Sequence, residues 1–224
     1  MSTYILNIET STKACSVAIH KNGKLMSLKE NVTENFSHSE KLQNYIQQTI
    51  EKSKIQLSNL SAVAVSKGPG SYTGLRIGVA SAKGLCYALN IPLISISTLK
   101  AMSLGMSQEK KADLFCPMID ARRMEVYSAF FDSNNIIKRE IKADILDVNS
   151  YKDELKQKVV FFGDGSDKAK KTIKNKNASF VANFHPSATF VGMLSYQKFL
   201  DSNFEDIAYF EPFYLKDFVA GKKT

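Results

Sequence analysis

The chain has 224 residues, 44% of them hydrophobic, and a formal net charge of +8, so it can bury a real core without staples. A mean hydropathy of −0.19 and the lack of any apolar run near 18 residues exclude a membrane span. Three cysteines, Cys15, Cys86 and Cys116, stand far apart without C-x-x-C spacing, which excludes a disulfide frame and a zinc ribbon and points to buried thiols in a reducing cytoplasm.

In chain order, residues 3–8, 14–20 and 24–31 read as strands, with Asn22-Gly23 between the last two as a hairpin turn. No basic, apolar leader precedes the first strand, so no export is expected. Ser37-His38-Ser39-Glu40 is a capping box, and Leu42, Tyr45, Ile46 and Ile50 follow on one helical face. Residues 60–65 form a short apolar strand, 66–74 a glycine loop and 75–89 a long helix stopped by Asn90 and Pro92; 93–96 is a further strand. A second unit is expected from about residue 101, with strands at 114–119 and 125–132 joined through Asp120-Ala121-Arg122-Arg123. Residues 159–162 end in Gly163-Asp164-Gly165, 187–200 read as a helix beside Pro186, and the extended stretch 211–216 is expected to return to the first unit. The lysine run at 168–176 reads as a solvated helix face, because arginine and aromatic residues are absent from it. Each half opens with a strand, an acidic turn and another strand, around Glu9 and around Asp120, which suggests one large duplication.

The glycine loop has spacing G-x-G-x-x-x-G, neither a Rossmann fingerprint nor a Walker loop. A strand, a glycine turn and a helix start can hold an anion, and Thr10, Ser11, Gly68, Gly70 and Ser71 are the candidate phosphate contacts. The competing reading is a tight turn with close packing. On the following helix Arg76, Lys83 and Tyr87 fall on one narrow stripe, whereas Gly74, Gly78, Ala82 and Cys86 repeat every four residues and leave a face almost without side chains. That ladder suits either the chain's own core or a partner helix. The partner surface expected from it comprises Leu42, Tyr45, Ile46, Gly74, Gly78, Ala82 and Cys86.

Catalytic motifs are scarce. His20, His38 and His185 have no metal-ligand spacing, no G-x-S-x-G elbow exists, and Ser71 reads best as a helix cap. Glu9 and Asp120 each follow an apolar strand, where an acid either serves chemistry or binds its own turn amides. No catalytic residue, metal or cofactor is assigned.

The segments Ile5-Leu6-Asn7-Ile8-Glu9-Thr10-Ser11, Gly68-Pro69-Gly70-Ser71-Tyr72-Thr73-Gly74-Leu75-Arg76-Ile77-Gly78, Asp120-Ala121-Arg122-Arg123-Met124-Glu125 and Pro212-Phe213-Tyr214-Leu215-Lys216 resemble the TsaB (YeaZ) family. The resemblance implies an α/β, two-lobed actin-like/sugar-kinase/heat-shock (ASKHA) fold, with mixed sheets flanked by helices, an N-terminal lobe at 1–100 and a C-terminal lobe at 101–224. It implies a non-catalytic scaffold that acts with a TsaD-like paralogue and a TsaE-like ATPase in threonylcarbamoyl transfer to the adenosine 3′ of the tRNA anticodon. It further implies a homodimer when the paralogue is absent, contact with tRNA only indirect or weak, and a cytoplasmic location. TsaD-like enzymes carry an H-x-x-x-H metal motif where this chain has Thr98 and Met102, and a hydroxyl and a thioether do not replace two imidazoles. The chain departs from the family in having Glu9 where the acid is usually Asp. The alternative reading is an ATP-dependent phosphotransferase or protease-like enzyme of the same fold.

Overall fold

In the computed structural model, residues 2–32 and 38–216 are described. The first sheet contains β1 (Tyr4–Glu9), β2 (Ala14–Lys21), β3 (Lys24–Val32), β4 (Ala62–Gly68) and β5 (Leu93–Ser97), in the order β3-β2-β1-β4-β5. β1 to β3 form an antiparallel meander, and β4 and β5 add parallel to β1. Asn22 and Gly23 have φ of 50° and 76°, the two positive values a tight hairpin turn requires.

The second sheet repeats the arrangement. It contains β6 (Leu114–Asp120), β7 (Glu125–Phe131), β8 (Ile137–Ile145), β9 (Val159–Phe162) and β10 (Ala178–Val181), in the order β10-β9-β6-β7-β8. Read from β8, this is again meander, central strand and two parallel strands. The two-lobed class with mixed sheets and flanking helices is therefore observed, and the duplication read at Glu9 and Asp120 extends to whole sheets.

Helices cover both faces of the first sheet. α1 (His38–Ser53) and α2 (Tyr72–Leu89) close one side, where Leu42, Tyr45, Ile46, Ala82 and Cys86 join Leu6, Ile8, Val17, Val63 and Val65 in one apolar cluster. The capping serine expected for α1, Ser37, lies outside the described residues. α5 (Ala188–Leu200) closes the other side, with Val191, Phe190 and Leu194 over Ile5, Ala62, Ala64, Ile94 and Ile96. The simple division at residue 100 therefore needs amending, because α5 is late in the chain yet packs on the first sheet. Buried polar groups fix it there. The Ser195 hydroxyl donates to Asn7 Oδ1 at 2.8 Å, and a β-carbon on Gly192 would strike the His20 ring. α3 (Thr98–Glu109) lies between the sheets, contributing Ala101 to one core and Leu99, Met102 and Met106 to another. α4 (Ser166–Thr172) carries the start of the lysine run.

Candidate functional site

The glycine loop and the β1–β2 turn form one closely packed unit. The Ser71 N–H donates to the Ser11 carbonyl at 2.6 Å, and the Thr10 hydroxyl donates to the Gly74 carbonyl at 2.8 Å. A β-carbon on Gly70 would fall on the Ser11 carbonyl, one on Gly74 on the Thr10 carbonyl, and one on Gly78 on the Thr10 hydroxyl. The Ser71 side chain caps α2 by accepting from the Gly74 N–H at 3.3 Å. On its far side the loop is closed by the chain end: Phe213 N–H donates to the Lys67 carbonyl at 2.7 Å, and a β-carbon on Gly68 (φ 113°) would lie 2.8 Å from the Phe213 carbonyl. The phosphate expectation for Thr10, Ser11, Gly68, Gly70 and Ser71 is therefore corrected. The Thr10 and Ser71 hydroxyls, the Ser71 N–H and the Ser11 carbonyl are engaged within this unit, and no space for an anion separates turn from loop. The glycines are there to allow close approach of two backbones.

The two acids play matching parts. Glu9 accepts the Ser11 N–H at 2.6 Å, and Asp120 accepts the Arg122 N–H at 2.6 Å, each two residues on within its own turn. Asp120 is exposed and also pairs with Lys168 at 2.8 Å. Glu9 is fully buried, and burial holds its carboxyl above the usual range against the lowering effect of hydrogen bonds from Ser11 and Ser66. Its Oε2 and the Ser11 and Ser66 hydroxyls make no well-formed hydrogen bond. At Glu9 the arrangement stiffens a turn and holds the acid away from solvent.

α2 presents three faces. The ladder of Gly74, Gly78, Ala82 and Cys86 points inward, with Ala82 and Cys86 at 0% exposure. Leu42, Tyr45 and Ile46 of α1 are also buried, at 1%, 7% and 5% exposure. All seven residues expected on the partner surface are thus core, which corrects that assignment; the ladder admits the β1–β2 turn. A second face meets the chain end. The Arg76 guanidinium lies 4.2 Å from the Tyr72 ring centroid and its Nε donates to Tyr214 Oη at 3.3 Å, and Lys83 Nζ donates to the carbonyls of Ala208 and Phe210 at 3.2 and 3.1 Å. Farther on, Lys216 reaches Glu125 of β7 at 2.6 Å, so the chain end straps the first lobe to the second. The third face is open: Thr73, Ala80, Gly84, Tyr87 and Ala88 are exposed and Ile77 is half-buried. These six fall within about a 100° sector at 3.6 residues per turn. Tyr87 is 84% exposed, and a β-carbon on Gly84 would meet nothing within 4 Å. Sequence periodicity carries both small-residue ladders and does not tell which one faces the sheet.

Thr98 and Met102 are both fully buried at the start of α3, Met102 within the apolar cluster beneath β6 and β9. Among the described residues no three His, Cys, Asp or Glu side chains gather as metal ligands, and no helix is long and apolar enough to cross a membrane.

Comparison with known proteins agrees with this geometry. A family model described as "TsaD: tRNA N6-adenosine threonylcarbamoyltransferase" matches residues 33–223. The chain is 34% identical over 176 residues to the tRNA threonylcarbamoyladenosine biosynthesis protein TsaB of Buchnera aphidicola subsp. Schizaphis graminum, spanning 76% of this chain and 83% of that protein. The TsaB of Buchnera aphidicola subsp. Baizongia pistaciae is 31% identical over 207 residues, spanning 87% and 91% of the two chains. The solved structure of YeaZ from Pseudomonas aeruginosa superposes with a TM-score of 0.80 at 23% identity, covering 95% of this chain and all of that one, a likeness of fold.

Proposed function

The chain belongs to the TsaB (YeaZ) family of tRNA threonylcarbamoyladenosine biosynthesis proteins, and we propose that in this pathway it is a scaffold and not a catalyst. The observation that carries this reading is the open face of α2. It lies on a helix whose opposite side packs on the sheet, is flat through Ala80, Gly84 and Ala88, and is flanked by Ile77 and Tyr87. Small side chains let a second helix approach closely, and an exposed tyrosine at the edge supplies the kind of anchor interfaces favour. We assign this face to a TsaD-like paralogue carrying the metal-binding histidines that positions 98 and 102 lack here. In the paralogue's absence the same face pairs two copies of this chain. A TsaE-like ATPase joins the assembled pair, tRNA is reached through the complex, and the work is done in the cytoplasm.

The test mixes the purified chain with the TsaD-like paralogue and follows assembly by sedimentation. A complex is expected, with Gly84→Trp weakening it at least about tenfold, or 1.4 kcal/mol. Unchanged assembly of a folded Gly84→Trp variant places the interface elsewhere. Threonylcarbamoyl transfer to tRNA by the chain alone overturns the scaffold reading.

A further inference from the structure

A cavity of ≈ 710 Å³ opens between the two lobes, at the carboxyl ends of β4 and β5 and under the β7–β8 turn. No residue of either acidic turn lines it. Its walls are largely apolar, with Leu104 of α3, Phe131 of β7, Ile137 and Ile141 of β8 and Leu194 of α5. Against this lining stand Lys67 and Lys100. A third lysine, Lys198, lies one turn along α5 from Leu194 and donates to the Ser95 carbonyl at 2.9 Å. Burial, together with the charges of Lys67 and Lys100, pushes the Lys198 ammonium below its usual pKa, while Glu205 acts the other way. None of the three lysines forms an ion pair among the described residues. The Glu205 carboxylate is engaged by the Ser95 hydroxyl. Clustered ammonium groups without a counter-ion repel one another, and a bound anion relieves that repulsion.

Two further features point the same way. Ser97, which caps the 12-residue helix α3, lines the cavity, so the positive end of that helix faces the same space. Asn135 also lines it and is only 7% exposed. Its amide donates to the Lys100 carbonyl at 3.2 Å, but its Oδ1 has no partner. A buried amide oxygen left unpaired is costly, and an ordered water bridging it to the bound head would satisfy it.

We propose that this cavity binds a small amphipathic anion: an acyl or aryl body with a single carboxylate or phosphate head. The head lies between Lys67, Lys100 and the start of α3, and the body lies along Leu104, Phe131, Ile137 and Leu194. The volume falls within the usual range of about 300–1,000 Å³ for small-molecule sites. Charge complementarity selects the head, and the apolar walls exclude a bare inorganic ion as the full ligand.

The experiment titrates the full chain calorimetrically with octanoate, with octan-1-ol as the uncharged body and acetate as the head alone. Saturable octanoate binding is expected, with both controls weaker by at least about tenfold. Lys67→Glu/Lys100→Glu is expected to abolish octanoate binding, and Ile137→Asp to weaken it, with both proteins still folded. If the double variant fails to fold, Lys100→Ala, at an exposed side chain, makes the same comparison. The proposal is overturned by equal affinity for octan-1-ol, by unchanged binding in a folded lysine variant, or by octanoate affinity weaker than about 1 mM.

Discussion

Gly74 and Thr10 are in direct backbone contact: the Thr10 hydroxyl donates to the Gly74 carbonyl at 2.8 Å, and a β-carbon on Gly74 would run into the Thr10 carbonyl. Nearly three helix turns away, Gly84 faces open space. Two glycines of one helix are thus held to opposite requirements by what lies beside them.

Gly74→Ala should destabilise the fold by about 1–3 kcal/mol through overpacking. Gly84→Ala should stabilise the isolated chain by roughly 0.5–1 kcal/mol, the usual difference between the two residues in a helix. Urea unfolding of both variants checks the pair, and a Gly74→Ala midpoint equal to that of the parent would contradict the packing described.

The same logic separates Ala82 from the open face. Ala82→Leu forces a larger side chain into a site with 0% exposure and should lower the urea midpoint. Its assembly with a TsaD-like paralogue should survive wherever the variant stays folded. Loss of assembly in a protein with an unchanged midpoint would return the inner ladder to the interface.

Glu9 makes stability fall as pH rises. Burial holds its folded pKa above the usual 4.5, so between those two values the folded chain binds the extra proton. The cost of ionising the buried group is absent below 4.5 and fully present above the folded pKa. Glu9→Gln keeps an oxygen to accept the Ser11 N–H and does not titrate. Its stability relative to the parent should therefore improve from pH 4.5 to pH 8, measured by urea midpoints. A constant difference across that range refutes the assignment.

His20 acts in the opposite direction. Burial beneath Gly192 of α5 lowers its pKa from 6.5 to about 4, so the unfolded chain takes up the proton first as pH falls. Stability contributed by the neutral ring is complete above 6.5 and is lost towards pH 4, by up to about 3 kcal/mol at 1.36 kcal/mol per unit. His38, lowered by burial as well, adds a slope of the same sign. Between pH 6.5 and 5, where few carboxylates titrate, His20→Gln should show a shallower loss than the parent. Identical slopes would exclude His20 as a source.

Much of the first lobe was legible because local signals agreed with the tertiary fold: the Asn22-Gly23 turn, the alternation through β1 to β3 and the stop at Asn90 before Pro92. Elements β8 and β10 were missed. β8 is an edge strand with Lys138, Glu140 and Lys142 interleaved along it, and β10 has only four residues, too few to set a period. α3 was missed because Ser103, Gly105 and Lys100 interrupt the stripe made by Leu99, Met102 and Met106. The contact between Arg76 and Tyr214 spans 138 positions, beyond the reach of any local pattern. The cavity escaped notice for the same reason, since its lysines come from β4 and α3 and its apolar walls from α3, β7, β8 and α5.

The packing of α5 on the first sheet has a consequence for synthesis on the ribosome. β5 ends at Ser97 and α5 begins at Ala188, so about 90 residues are added before the helix that covers Ile5, Ala62, Ala64, Ile94 and Ile96 exists. At roughly 5–20 residues per second the apolar side of that sheet waits on the order of 5–20 s for its cover. During that interval the nascent chain is a natural client for a chaperone that shields strands, and a ribosome stalled before codon 188 would leave the surface bare.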